Sequence, residues 1–288
     1  MREITVGVVA PAYVNVPLWV AQQRGLLERR GLRVTEQVLG STHGVTNALR
    51  DGAVDIGLTA PEGSIADAVG GGPLRVVAGL IDRPPLTMIA TPRHSNVSDL
   101  RGGRIGTSSL TEGTRHVAER MLAEHGLSYP ADYDFAIEGS HIERWKALQA
   151  GTIDAALQMI PYDDIATDAG FTSLGPVTEE FALNAVCVRV PAQRSVVTPF
   201  LEALAEATEW FRDHIEESAA IAAAHTSVEP HYALRACCKL AADGVIPRDL
   251  RAGRGALAAV LAALRSSGLI PPEAPDPIVT ALDDSYLP

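Results

Sequence analysis

Residues 48–70 read ALRDGAVDIGLTAPEGSIADAVG, and residues 147–170 read ALQAGTIDAALQMIPYDDIATDAG. Ala48-Leu49, Gly52 and Val54-Asp55 match Ala147-Leu148, Gly151 and Ile153-Asp154 at one constant offset. After a slip of one residue, Pro61, Ile65-Ala66 and Gly70 match Pro161, Ile165-Ala166 and Gly170. Each copy reads as a helix end, a glycine turn, a short buried strand and a new helix opened by a proline in its first turn. A match of order, spacing and inferred structure over a whole unit predicts two α/β lobes of similar topology.

The 288 residues allow one large domain or two lobes with a sizeable core. Hydrophobic residues make up 47% of the chain, which marks it as globular. Aromatics are only 5% and the net charge is −11, so a nucleic-acid surface is not expected: a phosphate backbone needs a basic stripe and stacking rings. A local pocket for a small anion remains compatible with that charge. Cys187, Cys237 and Cys238 form no CxxC pair and no metal spacing, and all three read as small buried residues. A strand begins close behind Met1, with no basic and apolar leader ahead of it. No apolar run has the length of a membrane span. As it stands the chain is expected in the cytosol, or periplasmic or lipid-anchored if a leader has been removed.

Along the chain, apolar strands at 4–9, 33–38, 56–59 and 74–81 alternate with helices at 17–30, 45–50 and 62–69. Gly31 is expected to stop the first of these helices. Repeated βα units imply a mainly parallel sheet. The run Asp82-Arg83-Pro84-Pro85 breaks the pattern, and 86–90 is extended. A second alternating series follows, with strands at 104–107, 133–137, 155–158 and 172–174 and helices at 111–125, 142–150 and 162–169. Residues 182–190 read as the strand that crosses back. Helices at 199–215, 216–224, 232–242 and 255–267 then cover or brace the first lobe, and the proline-rich end from Leu269 reads as an extended tail. The expected lobes are 1–88 with 184–288, and 89–183, joined by a two-strand hinge. Ligands in such sheets sit off the carboxyl ends of the strands, so those ends are expected to line one cleft.

Five stretches carry a family resemblance: PLWVAQQRGLLERRGLRVTEQ from Pro17, ALRDGAVDIG from Ala48, SDLRGGRIGTSS from Ser98, RWKALQAGTIDAAL from Arg144, and DDSYLP at the end. Together they resemble the substrate-binding proteins of ABC importers, of the sulfonate, nitrate, taurine and thiamine-precursor type. The resemblance runs over nearly the whole chain in order. It implies a two-lobed type II periplasmic-binding-protein-like α/β fold with a mostly parallel sheet in each lobe. The same fold hosts enzymes without a leader: desulfinases, decarboxylases, and synthases of the thiamine pyrimidine and menaquinone routes.

The candidate site residues sit in loops after the strands. Tyr13 and Asn15 follow the first strand, and an aromatic hydroxyl suits a flat ligand; a packed surface tyrosine is the plain alternative. Ser41, Thr42 and His43 open a helix, whose free N–H groups and hydroxyls suit an anion, though ordinary capping explains Ser41 or Thr42 as well. Thr59 and Glu62 follow the third strand, and Glu62 also suits a helix start through the dipole. The richest signal is Thr107-Ser108-Ser109-Leu110-Thr111-Glu112-Gly113-Thr114, read as the second lobe's equivalent of the 41–44 turn, with Ser108, Ser109 and Thr111 as ligand contacts. Glu138, then Ser140-His141-Ile142-Glu143, suggests a capped helix carrying His141 toward the ligand. Arg144 shares its face but reads as one half of a surface ion pair. Gln158 and Tyr162 end the echo's strand, and Asn184 lies on the return crossing.

Motifs for zincins, α/β-hydrolases, Walker loops and dinucleotide binding are absent, and neither a metal nor a cofactor is expected. The desulfinases' first-lobe cysteine nucleophile has no counterpart before Cys187. The cysteine-rich motif of the fungal-type thiamine-pyrimidine synthases is missing too. Two readings stand side by side. One is a solute-binding protein closing on a small organic anion (carboxylate, sulfonate or phosphate, aromatic ones included), with an ABC permease as partner if exported. The other is a cytosolic metal-independent lyase or decarboxylase using His43, Glu62 and His141, with Glu138 nearby, as acid–base groups.

Overall fold

The structure is a computed structural model that describes residues 1–242, 244–273 and 277–288. The strands in chain order are β1 (Arg2–Val8), β2 (Leu32–Val38), β3 (Ile56–Thr59), β4 (Leu74–Ile81), β5 (Leu86–Ala90), β6 (Arg104–Thr107), β7 (Asp134–Ile137), β8 (Ala155–Met159), β9 (Thr172–Pro176) and β10 (Asn184–Arg189). The helices are α1 (Val16–Gln23), α2 (Leu26–Arg29), α3 (Thr42–Asp51), α4 (Glu62–Val69), α5 (Gly113–Glu124), α6 (His141–Ala150) and α7 (Tyr162–Asp168). After β10 come α8 (Arg194–Asp213), α9 (Ile215–Thr226), α10 (Pro230–Leu240), α11 (Arg254–Ser266) and α12 (Pro277–Ala281). The chain divides into two compact units: Met1–Arg83 with Glu180–Pro288, and Pro84–Glu179.

Among the described residues each unit holds one five-stranded sheet, ordered β2-β1-β3-β10-β4 in the first and β7-β6-β8-β5-β9 in the second. The two orders are the same topology. In each sheet one strand runs against the rest, β10 in the first and β5 in the second, and it lies beside the strand of the repeat unit, β3 or β8. Both antiparallel strands are the first that the chain lays down on entering a unit from the other.

The sequence echo has a structural cause. Gly52 and Gly151 follow α3 and α6 with φ of 73° and 67°, a left-handed conformation that a Cβ disfavours. A few residues on, Asp55 and Asp154 each bind a neighbouring strand twice. The Asp55 N–H donates to Thr5 O at 2.9 Å while its carboxylate accepts from Thr5 N at 2.8 Å. Asp154 does the same with Arg104, at 2.8 Å and 2.7 Å. Each aspartate therefore pins the second strand of its sheet, β1 or β6, to the start of the strand beside it, β3 or β8. The one-residue slip falls after β8, which is a residue longer than β3. Pro61 and Pro161 stand as cap residues just ahead of α4 and α7, not inside the first turn.

Three expectations about local structure need correction. The single helix over 17–30 is broken: α1 ends at Gln23, Gly25 takes φ 64°, and α2 restarts at Leu26. The helix expected at 199 begins at Arg194, with Pro199 inside it. The tail is not merely extended. It contains α12 and a 3-10 turn at Asp284–Tyr286, and it fastens to the first unit. Leu282 bridges Val76 on the edge strand β4, Asp283 N donates to Val76 O at 2.9 Å, and buried Tyr286 donates to Ala192 O at 3.3 Å. An edge strand left open would offer unpaired backbone groups, and the tail fills part of that role.

The two links between the units are segments 82–85 and 177–183. Phe181 N donates to Asp82 O at 2.9 Å and Leu183 N to Ile81 O at 2.8 Å, so the links run side by side where they leave the first unit. Asp82 is buried there. Its Oδ2 accepts from Gly253 N at 2.7 Å, and its Oδ1 has no partner among the described residues. Burial pushes its pKa up to about 6; the Gly253 N–H resists, and Glu180 and Asp249 push further up. A carboxyl whose folded value exceeds its unfolded value weakens the fold when ionised, and the loss disappears as pH falls through 6 toward 3.8. Asp82→Asn is therefore expected to stabilise the protein by about 1–2 kcal/mol at pH 7.5, a value discounted for solvent screening, and by nothing measurable near pH 4. Urea unfolding at the two pH values measures this.

Candidate functional site

In both sheets the parallel strands end at one edge, and the loops leaving that edge carry the chemistry. In the second unit these are the loops after β6, β7 and β8. The strand order assigns their counterparts: the β6 loop corresponds to the β1 loop at 9–15, and the β7 loop to the β2 loop at 39–41. This corrects the expectation that 107–114 mirrors the 41–44 turn. The true mirror of Ser41 is Ser140. Ser41 Oγ caps α3 by accepting from Gly44 N at 3.0 Å, and Ser140 Oγ caps α6 by accepting from Glu143 N at 3.5 Å.

The β6 loop is a web of hydroxyls. Thr107 Oγ1 donates to Ser109 O at 3.2 Å, Ser109 Oγ pairs with Thr111 Oγ1 at 3.0 Å, and Ser108 Oγ lies 3.0 Å from Thr114 Oγ1. Ser108 Oγ also donates to Glu112 Oε2 at 2.7 Å. Glu112 precedes α5 at the cap position, but its side chain does not cap the helix. Glu138, half-buried at the end of β7, ties its N–H to Thr107 O at 2.9 Å, joining the two loops.

Beneath them lies the start of α6. His141 and Arg144, three residues apart, are both buried, at 8% and 4% exposure. His141 meets Tyr162 edge-on, with ring centroids 5.2 Å apart. Burial pushes the His141 imidazole down to about 4, and the Arg144 charge adds to the fall. Arg144 Nη1 donates to Gly139 O at 2.9 Å, and its Nε has no partner among the described residues. Burial pushes the guanidinium down to about 10, against the opposing charge of Glu112. Gln158 is fully buried. With its amide nitrogen toward His141 O at 3.0 Å and its oxygen toward Trp145 N at 3.2 Å, it clamps the first turn of α6. Second-unit residues Ser108, Ser109, Thr111, Glu138, His141, Gln158 and Tyr162 are thus brought to one edge. Sequence reasoning set Arg144 aside as a surface pair and did not single out Glu112. The i, i+3 spacing from His141 was the available signal for Arg144.

In the first unit, Thr59 ends β3 and Asn184 begins β10, next to Ala185, which pairs with Thr59. Both are buried, and Thr59 Oγ1 and Asn184 Oδ1 have no partner among the described residues. Glu62 is buried at the start of α4, near enough to Cys187 for its charge to act on that thiol. Burial pushes Cys187 up to about 12 while Ser64 holds it down, so the thiol is no nucleophile at neutral pH. His43 is exposed and Thr42 half-buried at the start of α3. Tyr13 is buried with its hydroxyl 3.4 Å from Thr226 Oγ1, and Asn15 donates to Ala10 O at 2.8 Å, bracing its own loop.

A cavity of about 210 Å³ lies at the far end of α5, between Met121, His125 and the segment from Leu174 to Glu179. It is away from the loop edge, and the hydroxyl web, not this cavity, gathers the site chemistry. No group of histidine, cysteine, aspartate or glutamate side chains suited to a metal occurs among the described residues. No described helix is long and apolar enough to cross a membrane.

Comparison with solved structures places the fold. The alkanesulfonate-binding protein SsuA from Xanthomonas axonopodis pv. citri, solved bound to MOPS, superposes with a TM-score of 0.76 at 19% identity, over 98% of this chain and 97% of that one. The periplasmic nitrate-binding protein NrtA from Synechocystis PCC 6803 gives 0.80 at 11% identity, over 99% and 86%. A Candida albicans protein with the generic periplasmic binding protein fold gives 0.79 at 15%, over 100% and 98%. The fold is therefore that of the periplasmic binding proteins. Among curated sequences, the 4-amino-5-hydroxymethyl-2-methylpyrimidine phosphate synthase of Schizosaccharomyces pombe is 29% identical over 146 residues, 50% of this chain and 40% of that protein. The THI13 synthase of Saccharomyces cerevisiae is 26% identical over 151 residues, 51% and 43%. The chain thus spans less than half the length of these relatives. The family description "NMT1/THI5 like" matches residues 14–218, most of the chain, and the protein belongs to that family.

Proposed function

We propose that this protein is a solute-binding protein for a small organic anion, held by the loops at the carboxyl ends of its strands. One observation carries the reading: the buried Arg144 side chain, whose Nε has no partner among the described residues, packs over Gly106 of β6, the strand that runs into the loop of hydroxyls ahead of α5. Such a donor set, fixed before the ligand arrives, suits a carboxylate, sulfonate or phosphate. The first unit offers Ser41, Thr42, His43, Thr59 and Asn184 at its own corresponding edge, with Tyr13 and Asn15 behind them. Neighbours of the same fold that bind a sulfonate buffer or nitrate support the ligand class. If the protein is exported, an ABC permease is the partner that would receive the solute.

A second reading keeps the same residues and makes them catalytic. Its supporting observation is His141, an imidazole neutral at pH 7 that meets the Tyr162 ring edge-on at the same loop edge. The synthase relatives lend it weight, although their match covers only half of this chain.

The test is thermal melting against a panel of small carboxylates, sulfonates and phosphate esters, with product analysis of each mixture. Binding predicts a raised Tm for one class, unchanged recovered ligand, and an affinity loss of about tenfold or more for Ser108→Ala, the value of one charge-assisted hydrogen bond. Silence across the panel would sink the reading. Chemical conversion of a ligand, abolished by His141→Gln, would move the assignment to the enzyme.

A further inference from the structure

We propose that the connection from α10 to α11, residues 245–253 with the first turn of α11, is a strap that grips both links between the units at their root and so fixes where they bend. The inference goes beyond the anion-binding reading, and its test needs no ligand, so the two stand or fall separately.

The strap holds one link at each of its ends. Asp82 N donates to Val245 O at 3.0 Å, and Ala182 N donates to Ala256 O at 3.2 Å. Between these bonds the links are tied to each other, by Phe181 N on Asp82 O and by Leu183 N on Ile81 O. A latch lies in the middle, where Gly253 N donates to the buried Asp82 carboxylate at 2.7 Å. All of these residues belong to the first unit.

The strap lies against that unit at backbone distance. Gly79 of β4 donates its N–H to Leu250 O at 2.8 Å, and a Cβ on Gly79 would come within 2.7 Å of Ala252 Cα. Only a residue without a Cβ lets the chain pass so close. A Cβ on Gly253 would likewise meet Asp82 Oδ2 at 2.7 Å. Leu250 is fully buried and takes φ 55°, a left-handed conformation that is an outlier for a bulky side chain. Such strain persists where the surroundings over-determine it. Arg212 Nη2 secures the near end by donating to Ile246 O at 2.9 Å.

The consequence is mechanical. A link flexes at the few residues whose φ and ψ are free to change. Residues 82 and 181–183 are held by the strap and by each other, and on the second unit's side Val177 N donates to Leu86 O at 2.8 Å. Bending is therefore confined to 83–85 in one link, where Pro84 and Pro85 fix φ, and to 178–180 in the other.

Hydrogen exchange resolved to single amides tests this on the full chain as wild type, Asp82→Ala, Asp82→Asn and Gly79→Ala. In wild type, amides 181–183 should be protected and amides 178–180 should not. In Asp82→Ala the amides of Phe181, Ala182 and Leu183, whose own acceptors are untouched, should exchange about tenfold faster relative to those of β1, as loss of about one hydrogen bond predicts. Asp82→Asn keeps an acceptor oxygen for Gly253 and should keep the wild-type ratio. Gly79→Ala lifts the strap from its other side and should raise the same rates. Wild-type ratios in both Asp82→Ala and Gly79→Ala would overturn the strap. So would equal protection of 178–180 and 181–183, or an Asp82→Asn protein as loose as Asp82→Ala.

Discussion

Lowering the pH from 7 to 4 should remove about 3 kcal/mol of stability through His141 alone. The imidazole is buried in the first turn of α6, between Tyr162 and the Gln158 clamp. Burial, and then the Arg144 charge, push its pKa from 6.5 down to about 4, with Glu143 opposing. In the unfolded chain the same ring protonates near 6.5, so between the two values the unfolded state binds the extra proton. The contribution is complete above pH 6.5 and is lost as pH falls to 4. The gap of about 2.5 pH units, at about 1.4 kcal/mol each, gives the figure. Denaturant unfolding of wild type and His141→Gln at pH 7, 5.5 and 4 isolates it, because the variant should lack this slope. Asp82 acts in the opposite sense over nearly the same range, so the raw wild-type curve should look flatter than either group alone implies. Parallel slopes for wild type and variant would show that His141 takes up its proton without penalty.

Asp154→Ala should destabilise the protein by about 3 kcal/mol. The carboxylate accepts from Arg104 N at 2.7 Å, forms an ion pair with Arg93, and faces His94 Nε2 at 3.9 Å. The Arg93 side chain is largely exposed, so that pair adds little. The main loss is the charged acceptor of a strand-end N–H, about 1.5–3 kcal/mol, joined by loss of packing under β6. Burial raises the Asp154 pKa, but the Arg104 N–H and the Arg93 charge outweigh it and hold the group below the usual carboxylate range. Its contribution is therefore present at neutral pH and disappears in acid, below the unfolded carboxylate value. Asp55→Ala removes the equivalent bond to Thr5 and should cost less, about 1–2 kcal/mol, because Asp55 is exposed and water competes for that bond, whereas Asp154 is buried. Urea unfolding of the two variants at pH 7 compares them, and an Asp154→Ala protein as stable as wild type would refute the account.

The two-unit architecture was legible because the echo contains residues with no substitute in their roles. A glycine must follow each helix with positive φ, and an aspartate must hold the next strand's neighbour. The break at Gly25 was harder to read. Helix-forming residues flank it on both sides, and nothing local distinguishes a tolerated glycine from a left-handed one. The mistaken pairing of 107–114 with 41–44 came from composition: both turns are rich in hydroxyls. Position was the better guide, since Ser41 and Ser140 stand at the same offset as Ala48 and Ala147. Arg144 was misread for a different reason. Its spacing placed it on the face of His141, but burial of a guanidinium depends on loops that come from three separate strands. The same limit applied to Tyr13 and Asn15, whose polar atoms turn to Thr226 and to Ala10 respectively.

The position of β10 fixes an order of assembly on the ribosome. This strand lies between β3 and β4, yet its residues are made long after theirs, once the whole second unit has been synthesised. When residue 176 has emerged, β5 to β9 are all present and their sheet can close. At that moment β3 and β4 still lack the strand that joins them, and they stay unjoined until 184–189 follows. The part of the protein encoded first is thus the part whose sheet is completed last. Between those two moments the unpaired flanks of β3 and β4 are exposed on the nascent chain, the interval in which a chaperone has a bare pair of edges to protect.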